Sequence, residues 1–226
     1  AFSDQDDIWL PEKLEYSLKE LARAGKGSLV HSDLDIFSEG STIGSAWKAE
    51  RRAVHLNDTI NLLMCNTVSG CSLLMDADLV RRFPAIPDSF KFHDHWYSVI
   101  ASLNGGVYPI HKSLIKYRIH ESNVVGVNIY SGPFSFKKNE DEGFVSRIIK
   151  GSLTTVEMER ELIESTSNKD IGWVSGRGSL KVLANGFWGL SGFIRNWFFG
   201  NGPLAKAYLG FSLGSFLNIF IRKRKI

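Results

Sequence analysis

The residues with the strongest chemical character open the chain. Ser3-Asp4-Gln5-Asp6-Asp7-Ile8-Trp9 places three carboxylates within four positions, an arrangement that repels itself unless a cation or hydrogen-bond donors neutralise it. Hard divalent ions such as Mg²⁺ and Mn²⁺ take oxygen ligands, often carboxylates together with substrate phosphates. A D-x-D-D run followed by apolar residues therefore reads either as a metal–diphosphate site or as a solvated acidic loop capping the next helix. A second D-x-D, Asp33-Leu34-Asp35, lies in a strand-like run and reads as a decoy. Further on stands His93-Asp94-His95-Trp96. An Asp at the opening of a helix is most often a cap, and the flanking histidines could bind metal or simply face solvent. The third group is Tyr117-Arg118-Ile119-His120-Glu121-Ser122-Asn123-Val124-Val125-Gly126. An Arg and a His just past a strand suit phosphate contact or metal ligation. Between these lies N-x-x-x-G, from Asn66 to Gly70; a glycine inside a strand-like run often marks the close approach of a backbone or ligand.

Local patterns say which elements must hold these groups. Ala1-Phe2 reads as the end of a buried strand, with residues 3–7 as the loop after it. Pro11 suits the first turn of a helix, and Leu14, Leu18 and Leu21 recur on one helical face. Residues 28–37 alternate as a strand, with Leu29, His31, Asp33 and Asp35 on one face and Val30, Leu34 and Ile36 on the other. Residues 38–45 read as a Gly/Ser loop, 51–64 as a helix and 68–75 as a strand broken by Gly70. Asp76 caps a short helix ending at Phe83-Pro84. Residues 93–103 form a helix whose stripe is Trp96, Val99, Ile100 and Leu103, and residues 107–110 and 113–117 form short strands. From about residue 130 the texture turns polar, with a helix through 155–164, and residues 180–221 are rich in Phe, Trp, Leu and Gly. No stretch there reaches the roughly 20 apolar residues of a spanning helix.

Composition narrows the classes. In 226 residues, 43% are hydrophobic and 23% charged, which excludes wholesale disorder. Lys and Arg total 27 against 24 Asp and Glu, a net charge of +3, too small an excess for a dedicated nucleic-acid binder. Cys65 and Cys71 have neither C-x-x-C nor Cys/His spacing, so a disulfide framework or structural zinc site is not expected and a reducing compartment fits better. Residue 1 is alanine and no basic-then-apolar leader opens the chain, so the expectation is a sequence that begins inside a domain.

Taken in order, D-Q-D-D-I-W-L-P-E-K-L, N-x-x-x-G, H-D-H-W and Y-R-x-H-x-x-N-x-x-G resemble family-two inverting glycosyltransferases of the GT-A fold, most of all rhamnosyltransferase-like members that build bacterial surface polysaccharide. The resemblance covers residues 1–126. It implies an α/β domain with a Rossmann-like mixed sheet flanked by helices over residues 1–130, N-terminally truncated, and a mostly helical C-terminal extension over 131–226. Such domains begin with strand–helix–strand units, so roughly 80 to 100 residues of the domain would precede residue 1.

The resemblance also implies roles. Asp4, Asp6 and Arg118 would contact the nucleotide-diphosphate sugar donor. Asp6 and Asp7, with His120 as a third ligand, would hold Mg²⁺ or Mn²⁺. Asp94 would be the catalytic base, and Gly70, His93, His95 and Trp96 would face a glycan or lipid-linked acceptor. H-D-H-W departs from the acidic E-D pair common in the wider family at His93. The expected location is cytoplasmic, at the inner face of the membrane. Trp188, Phe193, Trp197, Phe198 and Phe199 with Arg195, then I-R-K-R-K-I at 221–226, resemble an interfacial anchor for anionic lipid; the bland reading is a helical extension or partner interface. Two other functions fit parts of the chain. A metal-dependent His-Asp phosphohydrolase would use His93-Asp94 with His31 or His55, and a non-catalytic remnant would use none of these groups.

Overall fold

The computed structural model describes residues 1–38, 40–119, 144–166, 190, 193–195 and 207–213. The chain divides into two compact units. The first comprises Ala1–Leu62, Asn66–Ile86 and Lys91–Tyr130, and the second Leu63–Cys65, Pro87–Phe90 and Ser131–Ile226.

The first unit is built on a mixed sheet flanked by helices. Up to residue 118 the elements are β1 (Ile8–Trp9), α1 (Lys13–Ala24), β2 (Ser28–Ser38), β3 (Ser41–Ser45), α2 (Ala46–Ala49), α3 (Thr59–Met64), a 3₁₀ turn (Gly70–Ser72), β4 (Leu73–Met75), α4 (Ala77–Arg82), α5 (His93–Ser102) and β5 (Gly106–Arg118), of which only the last two residues of α3 fall in the second unit. The strand order is β1-β5-β2-β3, with β4 also on β2. β2 and β5 run parallel, and β1, β3 and β4 pair antiparallel to their neighbours. Because β1 opposes β5, with Ile8 opposite Lys116, the residues before Ile8 extend past the carboxyl ends of the parallel pair, where open α/β sheets place their ligands.

Several sequence expectations hold. β2 forms where expected, but not with one apolar face: Val30 packs in one cluster with Ile110 and Leu114, and Leu34 and Ile36 in another with Cys71 and Ile115, with register shifts between Ser32 and Asp35 separating the two. α4 is capped by Asp76, whose side chain accepts from Asp78 N, and ends at Phe83. α5 spans the predicted segment and buries Trp96, Val99 and Ile100.

Others need correction. Ala1-Phe2 is not a strand; the first strand is Ile8–Trp9. The leucine stripe on α1 is not its buried face, since Leu14 is 46% and Leu18 57% exposed while Lys13 is only 2% exposed. The buried face starts one residue earlier because the Lys13 stem packs inward and its ammonium lies 3.2 Å from the centre of the Trp9 ring, an ammonium–aromatic contact that compensates burial. Where a loop is expected, Ser41–Ser45 form β3, paired antiparallel with β2 from Ser38 opposite Ser41 to Asp35 opposite Ser45. The helix expected over 51–64 starts only at Thr59: Arg51 has φ 52°, and the Asp58 carboxylate accepts from Asn61 N at 3.0 Å, capping the new helix. The strand expected over 68–75 is a 3₁₀ turn followed by β4. The two short strands near the end of this unit are one, β5, with register shifts opposite Asp33.

In the second unit α6 (Phe144–Thr166) extends the helix expected over 155–164. Met158 and Leu162 are buried, as are Tyr208 and Phe211, and Ser152 Oγ donates to Phe211 O at 3.4 Å. Among the described residues no helix is long and apolar enough to cross a membrane.

Candidate functional site

The opening acidic loop sits beside the end of β5. Arg118 N donates to Asp7 Oδ1 at 3.3 Å, and Arg118 Nε donates to Asp6 O at 3.1 Å. Two motifs separated by more than 100 residues therefore meet, because β1 pairs with the last residues of β5. Within the loop, Asp4, Asp7 and Cys71 bring potential ligand atoms within 4.8 Å of one another. Asp6 is not part of this group; of the expected Asp6–Asp7–His120 set, His120 lies outside the described residues. Asp7 Oδ2 is buried without a hydrogen-bond partner. Burial pushes the Asp7 carboxyl up, while the Cys71 thiol and the Arg118 amide oppose the rise, and Asp4 and Asp6 add to it. Burial and the neighbouring Asp7 push the Cys71 thiol far above its usual range, so it stays protonated and is a poor ligand for a hard ion. Asp4 and Asp7 supply the oxygen atoms of this group, the ligand type that Mg²⁺ or Mn²⁺ prefers. Tyr117, packed on the Cys71 cluster, is pushed up to about 12 by burial and then by Asp7.

Asp94 occupies the first turn of α5 and is gripped by the N-x-x-x-G segment. Asn66 Nδ2 donates to Asp94 Oδ1 at 3.0 Å, and Gly70 N donates to Asp94 Oδ2 at 2.9 Å. Asn66 is held in turn: Nδ2 also donates to Val68 O, Oδ1 accepts from Val68 N, both at 3.0 Å, and Ser98 Oγ donates to Oδ1 at 3.2 Å. Burial pushes the Asp94 carboxyl up; His93, the Gly70 and His95 amides and the Arg52 charge pull it back down. A carboxylate pushed up by burial is a stronger base than one in water, and the Asn66 and Gly70 donors favour its charged form.

The two carboxylate sites share one short piece of chain. Gly70 holds Asp94, and the next residue, Cys71, sits in the Asp4–Asp7 group. The opening loop also reaches α5 directly, since the Phe2 and His93 rings lie 4.1 Å apart.

The expected acceptor contacts fare differently. A Cβ on Gly70 would lie 2.5 Å from His93 Nε2 and 3.6 Å from Asp94 Oδ2. The close approach that demands glycine is therefore by the His93 imidazole, which corrects the reading that an acceptor fills that space. His95 is buried with Nε2 2.9 Å from Leu62 O, and Trp96 is fully buried. Both belong to the core and present no face to an acceptor. His93 is half-buried beside the site. The second D-x-D is structural at Asp33: its carboxylate accepts from Leu34 N at 2.7 Å, Trp47 N at 3.1 Å and Ser45 Oγ at 2.5 Å, tying β2 to α2. His31, an expected ligand of the phosphohydrolase reading, is fully buried against Trp47 and pushed down to about 3 by burial, with Arg52 and His111 adding to the effect. His55 is exposed, and no further His/Asp group joins His93 and Asp94 among the described residues.

Residue types and spacing gave no local signal for Asn66 as a clamp, for Cys71 beside Asp7, or for Arg52, which binds the segment before Gly70. Lys13 is another such residue: burial pushes it down to about 8, against the pull of Cys71 and Asp7. Of the aromatic tail, Phe193 and Arg195 are described, whereas Trp188, Trp197, Phe198, Phe199 and residues 221–226 lie outside the described residues. Comparisons with protein-family models, with curated proteins and with solved structures find no match for this chain.

Proposed function

We propose that the chain is part of a GT-A-type inverting glycosyltransferase. It would move a sugar from a nucleotide-diphosphate donor to a hydroxyl of a glycan or lipid-linked acceptor, in the manner of the rhamnosyltransferase-like enzymes its motifs resemble. The observation that carries this reading is the junction at Gly70–Cys71, which joins the Asp94 carboxylate to the Asp4–Asp7 pair. Transfer with inversion needs a general base and a diphosphate-binding pole on one site, and the closeness of the two carboxylate groups at this junction supports that reading.

Asp4 and Asp7 would hold Mg²⁺ or Mn²⁺, which when bound supplies charge neutralisation to the departing diphosphate. Arg118, already against Asp6 and Asp7, adds a fixed positive charge for the same phosphates. Asp94 takes the proton of the acceptor hydroxyl as that oxygen bonds to the anomeric carbon. The carbon–oxygen bond to the diphosphate breaks on the opposite face and its electron pair leaves with the nucleotide. A base placed in this way contributes roughly 10²–10⁴-fold. His93, tilted against the Phe2 ring beside Gly70, would border the space an acceptor enters. Bacterial surface-polysaccharide synthesis at the cytoplasmic face of a membrane is the setting this chemistry fits, with the aromatic and basic tail as its contact with anionic lipid.

The test is a screen of nucleotide sugars with Mn²⁺ against the chain and its Asp94→Asn variant. Donor binding retained and transfer abolished in the variant is the expected result; transfer at the parent rate would overturn the assignment of the base.

A further inference from the structure

Arg52 lies outside every motif that carries the proposed reaction, yet the Asp94 clamp hangs from it. Its side chain is 15% exposed and that of its partner Glu50 6%. Glu50 Oε2 accepts from Arg52 Nε at 2.5 Å, which fixes the guanidinium plane. Arg52 Nη1 then donates to Thr67 O at 3.1 Å and Ser69 Oγ at 2.7 Å. These acceptors flank Val68, whose N–H and C=O are both taken by Asn66. The next residue, Gly70, meets Asp94 Oδ2. The turn that clamps the carboxylate is thus held from within by Asn66 and from outside by Arg52.

We propose that Arg52 is a positioning residue for Asp94, bracing the 67–70 turn against the carboxylate and lending the clamp its positive charge. This rests on the reading of Asp94 as the base. A planar fork with several donors and a permanent charge can do both at once; a lysine at the same place would supply charge without the fork. A brace alone would not call for a nearly buried cation, because an apolar residue of similar volume avoids the cost of dehydrating an ion pair. The electrostatic sense agrees: burial raises the Asp94 carboxyl, and Arg52 acts with His93 and the two amides against that rise. Glu50 pairs with Arg52 at Nε and leaves Nη1 directed at the turn.

The experiment is a carbon-13 NMR titration of the Asp94 carboxyl in the full chain, its signal identified by loss in Asp94→Asn, together with hydrogen exchange at the Gly70 amide. Arg52→Gln should move the Asp94 midpoint up by roughly 0.5–1 pH unit. Arg52→Lys should keep the midpoint near that of the parent while Gly70 exchange quickens about tenfold. A folded Arg52→Gln protein with an unmoved midpoint overturns the proposal. Should Arg52→Gln not fold, Ser69→Ala removes one grip without stranding a charge, and unchanged Gly70 exchange in that variant also overturns it. Neither readout uses turnover. Persistent transfer by Asp94→Asn would therefore defeat the base assignment alone, and an unmoved Asp94 midpoint would defeat the role of Arg52 alone.

Discussion

Replacing Asn66 by Ala tests how firmly the Asp94 clamp is built. The Asn66 carboxamide makes four hydrogen bonds: two with the backbone of Val68, one from Ser98 Oγ and one to the Asp94 carboxylate. Neutral bonds contribute about 0.5–1.5 kcal/mol each and one to a charged group about 1.5–3 kcal/mol. The sum overstates the loss, because Ser98 Oγ also donates to His95 O at 2.9 Å and Asp94 keeps the Gly70 amide. What cannot be recovered is the pairing of the buried Val68 N–H and C=O and the charged bond to Asp94, which puts the cost at about 2–4 kcal/mol. For a protein of this size that is a fall in Tm of roughly 5–15 °C, read by circular dichroism alongside denaturant unfolding. A loss below about 1 kcal/mol would mean that the carboxamide is not the keystone of this turn. Asn66→Asp sharpens the result. It sets a second carboxyl group at hydrogen-bond distance from Asp94, so the pair shares a proton and the variant should lose stability as pH rises, which Asn66→Ala should not.

Three further outcomes follow from the same geometry. His31 is neutral in the fold, its pKa pushed down to about 3 from 6.5, whereas the unfolded chain takes up the proton. Its contribution is therefore complete above pH 6.5 and lost as pH falls from there towards 3, at about 1.4 kcal/mol per pH unit; chemical unfolding of the parent and of His31→Leu should diverge in that window, and parallel curves would refute the assignment. Gly70→Ala pushes a methyl group against His93 Nε2, the far end of a side chain, so His93 should leave its contact with the Phe2 ring at a cost of about 1 kcal/mol, and adding His93→Ala should cancel that cost; additive effects would contradict the clash. Trp96→Phe should lower stability through lost packing while leaving the acceptor KM unchanged; a KM raised with stability intact would return Trp96 to the acceptor site.

The parts of the fold that were legible in the sequence are those written by neighbours in the chain. Asp76 and Phe83-Pro84 bracket α4 within eight residues, and the apolar spacing of Trp96, Val99 and Ile100 sets the inner face of α5. The leucine spacing misses the buried face of α1 by one position because the residue that begins that face is a lysine, whose burial depends on a Trp9 ring brought there by β1. The helix expected from residue 51 fails because Arg52 is drawn away to Glu50, Thr67 and Ser69, contacts that no local pattern announces. The site divides along the same line. Its charged motifs were readable as types, but the pairing of Asp7 with Cys71 and of Asp94 with Asn66 joins residues 64 and 28 positions apart. The acceptor roles of His95 and Trp96 fail because a helix opening into a site also buries its next residues in the core beneath it.

The proposed function requires a divalent cation with a diphosphate at Asp4 and Asp7, on the same side as Asp94. It can be tested without knowing the sugar. Mn²⁺ with a nucleoside diphosphate should broaden the amide NMR signals of Gly70 and Cys71 in the parent chain and leave them sharp in Asp7→Asn. Sharp Gly70 and Cys71 signals at saturating Mn²⁺ and nucleotide, with broadening elsewhere or nowhere, would contradict it.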